Sequence, residues 1–241
     1  MTQYQPSPVA IVTGASRGFG RAVTVALLDR GWAVVGDARR ASELKTIAAE
    51  LDSSQLIALP GDVTDASHRD ALVTAAIKVG PLRLLVNNAS RLGPSPQPAL
   101  VDYPESELWA VYQTNVFAPL ALIQAALPAL TANGGVIINL SSDAAVEPYP
   151  GWGGYGSSKA ALDQLSAVLA TEISAAPTVP VYAFDPGDMR TEMHQAAFPG
   201  EDISDRADPE AVVPALLRLL DARPPAGRYR AADLALSGVR P

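Results

Sequence analysis

The chain has 241 residues, 48% of them hydrophobic, with 25 acidic against 18 basic side chains and a formal net charge of −7. That mix can bury a full core and offers no basic stripe for nucleic acid, so no nucleic-acid partner is expected. Cysteine is absent, which excludes disulfides and thiol chemistry, and the 2 histidines, His68 and His194, lack neighbouring ligands at metal spacing, so no metal site is expected.

The first residues, Met1–Ala10, lack the basic-then-apolar order of a signal peptide, and no run of about 18 apolar residues suggests a membrane span. A cytoplasmic location is the expectation. In chain order, Val9–Thr13 reads as a strand, Arg21–Asp29 as a helix stopped by Gly31, and Ala33–Val35 as a strand. Ala41–Leu51 reads as a helix, Leu56–Leu59 as a strand, Ala66–Lys78 as a helix and Leu82–Val86 as a strand. A long helix is expected over Glu105–Leu130, then a strand at Val136–Leu140, a helix at Ala160–Ile173 and a strand at Val179–Phe184. Runs that are apolar throughout, not alternating, mark strands buried on both faces. Strand-helix alternation at this spacing predicts an α/β fold with a doubly wound parallel sheet and helices on both faces. The stretch Asp185–Pro209 has no clear period, and a loop of that length suggests an active-site lid over 188–208. A helix follows over Pro209–Leu220, opened by Asp208 as N-cap and Pro209 in the first turn, and the tail from Pro224 has room for one last strand.

Between the first strand and the first helix lies Thr13-Gly14-Ala15-Ser16-Arg17-Gly18-Phe19-Gly20. Glycines here permit a tight turn and close approach of backbone N–H groups to a pyrophosphate, with the helix N-terminus facing the anion. Tyr155 and Lys159 stand four residues apart, a spacing that puts both on one face of a helix. A nearby ammonium lowers the pKa of a phenol, which makes such a pair a proton donor and acceptor.

The glycine loop, Gly61-Asp62-Val63, Asn87-Asn88-Ala89, Asn115, Ser142, Tyr155-x-x-x-Lys159 and Pro186-Gly187 occur in that order. The set closely resembles the short-chain dehydrogenase/reductase family in its single-domain form, over roughly residues 8–222. The resemblance implies one NAD(P)-binding Rossmann domain over residues 1–241 with about seven strands. It implies Tyr155 as general acid when a carbonyl is reduced and general base when an alcohol is oxidised. Lys159 would hold the nicotinamide ribose, Ser142 the substrate oxygen, with Ser141 the weaker choice, and Asn115 a water near the lysine. Cofactor contacts are implied for Gly14, Ser16, Arg17, Gly18, Phe19 and Gly20, for Asp62 and Val63 at the adenine, for Asn88 and Ala89, and for Pro186, Gly187, Met189 and Thr191. The position that usually selects NAD with an acidic residue falls on Ala38, followed by Arg39, and a second arginine, Arg17, lies in the loop. Two arginines suit a 2′-phosphate, so NADP(H) is favoured. A shift of one residue would make Asp37 the ribose ligand, so NAD(H) stays open. Asp143, Glu147, Tyr149 and Trp152, with lid residues Met189–Phe198 and Met193 among them, are expected to line the substrate pocket.

Ser90 stands where the family pattern has glycine, Ser141-Ser142-Asp143-Ala144-Ala145 also replaces a glycine, and the tail lacks the family's Val-Asp-Gly-Gly ending. That ending packs in a tetramer interface, so a homodimer on the long helices is the expectation, with a tetramer open. The expected function is NADP(H)-dependent interconversion of a small-molecule carbonyl and alcohol. Alternatives are reduction of a C=N or C=C bond on the same scaffold, or a catalytically silent NADP-sensing protein. Acidic lid residues (Asp188, Glu192, Glu201, Asp202 and Asp205) read as a solvated loop before they read as a substrate signal.

Overall fold

A computed structural model describes residues 6–51, 53–174 and 179–236. Its strands are β1 (Val9–Val12), β2 (Ala33–Ala38), β3 (Leu56–Pro60), β4 (Leu82–Asn87), β5 (Val136–Leu140), β6 (Val181–Asp185) and β7 (Gly227–Arg230). Its helices are α1 (Gly18–Asp29), α2 (Ala41–Leu51), α3 (Ala66–Val79), α4 (Glu105–Tyr112), α5 (Ala118–Asn133), α6 (Gly153–Glu172), α7 (Glu192–Ala197), α8 (Pro209–Ala222) and α9 (Ala231–Leu236). The strands form one 7-stranded sheet in the order β3-β2-β1-β4-β5-β6-β7, with every pairing parallel. The fold is the doubly wound α/β arrangement expected from the alternation of elements.

Each interior strand feeds two cores because successive side chains point to opposite faces. From β1, Ala10 and Val12 join α1 and α8 on one face, while Val9 and Ile11 join α3 and α5 on the other. All four β1 residues are buried, which is why the strand is apolar without alternation. Strand order reverses between β1 and β4, and the crevice outside their carboxyl ends is where such sheets bind ligands.

Three elements differ from the sequence expectation. The long helix is broken at a π-helical turn, Gln113–Phe117, and runs on to Asn133, where Gly134 ends it. The whole segment Glu105–Asn133 is long and apolar enough, by length and composition, to cross a membrane. Here Leu122, Ile123, Ala126 and Leu130 bury that apolar face in the core. Second, α6 begins at Gly153, not Ala160. Two adjacent glycines disfavour helix by propensity, but they admit neighbours that larger residues would exclude. A Cβ on Gly154 would lie 2.3 Å from Tyr103 Cζ, and one on Gly153 would lie 2.7 Å from Leu100 Cδ1. Third, the aperiodic stretch after β6 contains α7, whose N-cap Thr191 accepts from the His194 N–H (3.2 Å). The tail does supply a last strand, β7, and adds α9.

Candidate active site

The loop after β1 is folded onto its neighbours with no spare room. Gly14 has φ +68°, a left-handed conformation that favours glycine. A Cβ on Gly20 would lie 2.2 Å from the Gly14 carbonyl oxygen and 2.4 Å from Asn88 Nδ2, so helix and loop can meet only through glycine. Thr13 Oγ1 accepts from the Asn88 N–H (3.0 Å) and the Ala89 N–H (2.9 Å), and Asn88 Nδ2 donates to the Thr13 carbonyl (2.8 Å). The Asn88 side chain thus ties the β1 and β4 ends together. Helix α1 starts with no side-chain cap and no acidic residue in its first turn. Its first N–H groups are left for an anion.

Asp37 is the other anchor of this loop. It is 1% exposed, and its Oδ1 accepts from the Gly14 N–H (2.7 Å) while Oδ2 accepts from His68 Nε2 (3.1 Å). Burial pushes its carboxyl up; the His68 and Gly14 hydrogen bonds act the other way. His68 packs flat against Gly61, where a Cβ would lie 2.2 Å from Nδ1. Just beyond Asp37, Ala38 is buried and Arg39 exposed. Arg39 lines the cleft and has no hydrogen-bond or ion-pair partner among the described residues. Arg40 is held by Glu43 (2.5 Å), which also accepts from Ser16 Oγ (3.2 Å), and Arg17 pairs with Glu192 of α7. Asp62 Oδ1 accepts from the Thr64 N–H (2.9 Å) and hydroxyl (2.8 Å), which fixes the turn after β3.

At the other end of the crevice, α6 presents Tyr155 and Lys159, both buried. Lys159 Nζ donates to the Leu140 carbonyl (2.6 Å) and lies 5.5 Å from the Tyr155 ring centroid. Burial pushes the lysine down to about 8, with Asp163 opposing. Burial also holds the Tyr155 phenol above its ordinary range, while its hydrogen bonds with Ser90 and Ser142 act to lower it. Ser142 Oγ accepts from the Ala144 N–H (3.2 Å) and donates to Asp143 Oδ1 (2.9 Å). Ser141 lines the cleft, and its hydroxyl donates to Asp163 Oδ2 (2.8 Å). Asn115 sits in the π-helical turn, a feature common at functional sites. Its Oδ1 accepts from the Arg91 N–H (2.8 Å) and Ser90 Oγ (3.1 Å), and its Nδ2 donates to the Arg91 carbonyl (2.9 Å) and Ser158 Oγ (2.9 Å).

A cleft of about 850 Å³ joins the two ends. Its walls take in Gly14 and Ser16–Phe19 of the loop, Asp37, Ala38 and Arg39 around the end of β2, Asp62 and Val63 after β3, and Asn88 and Ala89 after β4. Tyr155 and Lys159 close one end, and Pro186, Met189, Thr191 and Met193 come from the segment after β6. Gly20, Gly187, Asn115 and Ser142 do not line it. Gly20 acts at the loop-helix contact, Gly187 N–H donates to Asp185 Oδ1 (3.0 Å), and Ser142 shares a hydrogen bond with Tyr155. Asp143, Tyr149 and Trp152 also lie outside the cleft. Tyr149 is exposed and its hydroxyl donates to Asp143 Oδ2 (3.0 Å). Trp152 meets the Tyr155 ring edge-on at 5.8 Å and Phe198 at 5.7 Å. With Leu92, Met193, Ala196 and Ala197 it makes an apolar cluster over the tyrosine.

Sequence reasoning missed several members of this site. Ser90 stood out only as a departure, and Leu92 carried no signal. Asp163 lies one helical turn beyond Lys159, a spacing that could have flagged it. His68, Asp185 and Arg228 reach the site only through the fold.

The geometry defines a dinucleotide-type crevice whose far end is a buried tyrosine-lysine pair. Residues 8–202 match the family described as short chain dehydrogenase. A short chain dehydrogenase of Pseudocercospora fijiensis is 38% identical over 76% of this chain, and the matched stretch spans 60% of that relative's length. A serine 3-dehydrogenase of Agrobacterium fabrum is 36% identical over 77% of this chain and 74% of its own. Among solved structures, a short chain dehydrogenase of Shigella flexneri complexed with NADP superimposes with a TM-score of 0.86 at 26% identity, covering 96% of this chain and 100% of that one. The chain belongs to the short-chain dehydrogenase/reductase family and is an oxidoreductase of that family.

Proposed function

We propose that this protein interconverts a carbonyl and an alcohol with NADP(H), using Tyr155 as the general acid and base. One observation carries the reading: a single cleft joins the uncapped α1 terminus and Arg39, which has no partner among the described residues, to the Tyr155–Lys159 pair. The residues present fit a dinucleotide. The Gly14 and Ala15 N–H groups are taken by Asp37, and the N–H groups at the uncapped α1 terminus are left for a phosphate. Ser16, Arg17 and Arg39 line the cleft where a 2′-phosphate would be held. Asp62 and Val63 would hold the adenine, and Lys159 the nicotinamide ribose. When bound, such a cofactor supplies the hydride that reduces the substrate carbon. The chain's own part is the proton. Tyr155, kept protonated by burial, donates to the developing alkoxide, and Ser142 offers a second hydrogen bond to the same oxygen. Asn115 holds the turn that positions Ser90 and the start of this network.

Residues 188–208 act as a lid on this reading, since α7 lays Met193, Ala196 and Ala197 over Tyr155. The apolar cluster with Trp152 and Leu92 favours a substrate whose carbonyl carries an apolar or aromatic group. Exposed Trp109 and Phe117, with Val168 on α6, support a homodimer, which light scattering would measure. The test of function is turnover of ketones and aldehydes with NADPH or NADH, by wild type and Tyr155→Phe. Tyr155→Phe should bind NADPH normally and lose about 10²–10⁴-fold in turnover. Binding of NADPH without Tyr155-dependent turnover would favour a sensing role instead, and tighter binding of NADH would overturn the cofactor assignment.

A further inference from the structure

One guanidinium outside the cofactor cleft touches three elements of the catalytic end. Arg228, on β7, donates through Nε to Asp163 Oδ2 on α6 (3.0 Å). Its Nη2 donates to Asp185 Oδ2 at the end of β6 (2.8 Å) and to the Ser142 carbonyl (2.9 Å). The planar fork of arginine can hold three acceptors at fixed angles; an ammonium cannot. Residues Leu140 to Ser142 are therefore suspended between three side chains. Lys159 holds the Leu140 carbonyl (2.6 Å), Asp163 holds the Ser141 hydroxyl (2.8 Å), and Arg228 holds the Ser142 carbonyl.

The charges matter as much as the contacts. Around Tyr155 and Lys159 stand Asp163 from α6, Asp185 from β6, Asp143 from the turn after Ser142, and Arg228 from β7. The Asp185 side chain is 4% exposed and that of Asp163 15%, so water screens them little. Asp163 Oδ1 has no partner among the described residues. Without Arg228, one ammonium would face two sheltered carboxylates, Asp163 and Asp185.

We propose that Arg228 is a positioning residue for the reaction: it sets the backbone of Ser142 and balances Asp163 and Asp185 beside the Tyr155–Lys159 pair. The proposal rests on the reading of Tyr155 as the proton donor. A simple tie of the edge strand to the sheet would make the same contacts, so the test needs a readout that a tie does not move. Removing the cation should raise the affinity of both Tyr155 and Lys159 for their protons, and removing Asp163's charge should lower that of Lys159.

Arg228→Met, Arg228→Lys and Asp163→Asn should be compared for kcat, KM for NADPH, and the pH dependence of kcat/KM. The ionisation of Tyr155 should also be read by phenolate absorbance, each variant against the same variant carrying Tyr155→Phe. Arg228→Met should lose about tenfold or more in kcat, keep its KM for NADPH within about twofold, and move the alkaline limb and the phenolate midpoint upward by about half a unit or more. Arg228→Lys should restore the pH limb and leave kcat low, because charge returns without the fork. Asp163→Asn should move the alkaline limb downward. Unmoved pH limbs and phenolate midpoints, with losses that only track thermal stability, would overturn the proposal. If Arg228→Met does not fold, the lysine and Asp163→Asn variants carry the test. Turnover that survives Tyr155→Phe would sink the catalytic reading, whereas the absorbance titration still reports on Arg228.

Discussion

Replacing Lys159 by methionine should make the protein more stable while abolishing turnover. The lysine is 2% exposed, and burial pushes its ammonium down to about 8 from its ordinary 10.5. A depression of that size means the charged form is destabilised on folding by about 3 kcal/mol at neutral pH. Methionine avoids this penalty and fills a similar volume. It also abandons the hydrogen bond to the Leu140 carbonyl (2.6 Å). Leaving that acceptor without a partner returns about 1–2 kcal/mol, so a net gain of about 1–2 kcal/mol is expected. The pH dependence has a definite sign. Because the folded pKa is the lower one, the unfolded chain binds more protons between about pH 8 and 10.5, and wild-type stability rises across that window. The advantage of the variant is thus full below pH 8 and shrinks as pH approaches 10.5. Urea unfolding of both proteins at pH 7 and pH 10 measures it. A variant less stable than wild type at pH 7, or a difference that does not change with pH, would refute the reasoning.

Other consequences follow from the same geometry. For Arg39→Ala, steady-state kinetics should give a KM for NADPH raised about 10- to 100-fold, the loss of one charge-assisted phosphate contact, with NADH kinetics nearly unchanged. Equal effects on both cofactors would contradict a 2′-phosphate contact. Gly20→Ala would drive a Cβ to 2.2 Å from the Gly14 carbonyl oxygen, so fluorescence titration should detect no NADPH binding, in contrast to wild type. With Tyr155 held protonated and Lys159 losing its charge near 8, kcat/KM for carbonyl reduction should be flat at neutral pH and fall about tenfold per unit above pH 8. A decline that starts only near pH 10 would remove Lys159 from that role.

What could be read from the sequence was whatever depends on neighbours along the chain. The apolar run Val9–Val12, the glycine loop and the Tyr155–Lys159 spacing each express a local requirement, and each lies where it was expected. The early start of α6 was hidden because Gly153 and Gly154 are set by Leu100 and Tyr103, about fifty residues away, and not by helix propensity. The π-helical turn at Asn115 was hidden for a related reason. One extra residue in a turn leaves the apolar pattern nearly intact, and the distortion is held by Arg91 and Ser158. Trp152, expected to line the substrate pocket, meets the Tyr155 ring as part of an apolar roof and lies outside the cleft. Arg228 could not be found at all from its surroundings, because its three acceptors come from α6, β6 and the turn after β5.

Asp37 is the residue whose meaning the fold reverses. At the end of a second strand, a carboxylate reads as a ribose ligand and an argument for NAD. Here both oxygens are committed, one to the Gly14 N–H and one to His68, and its backbone carbonyl accepts from the Ala15 N–H (2.7 Å). To reach a ribose, Asp37 would have to leave Gly14, unhooking the loop whose N–H groups the pyrophosphate needs. It would also leave His68 packed against Gly61 with a buried donor unpaired, a loss of about 1–3 kcal/mol. On the proposed reading, the same acidic side chain strengthens the phosphate cradle and takes no part in cofactor selection. That leaves the choice to the next two positions. Ala38 offers nothing to a hydroxyl, and Arg39 offers a guanidinium with no partner among the described residues. A 2′-phosphate would satisfy that guanidinium, while the hydroxyl of NADH would leave it as it is, which is the physical basis of the proposed preference for NADP(H).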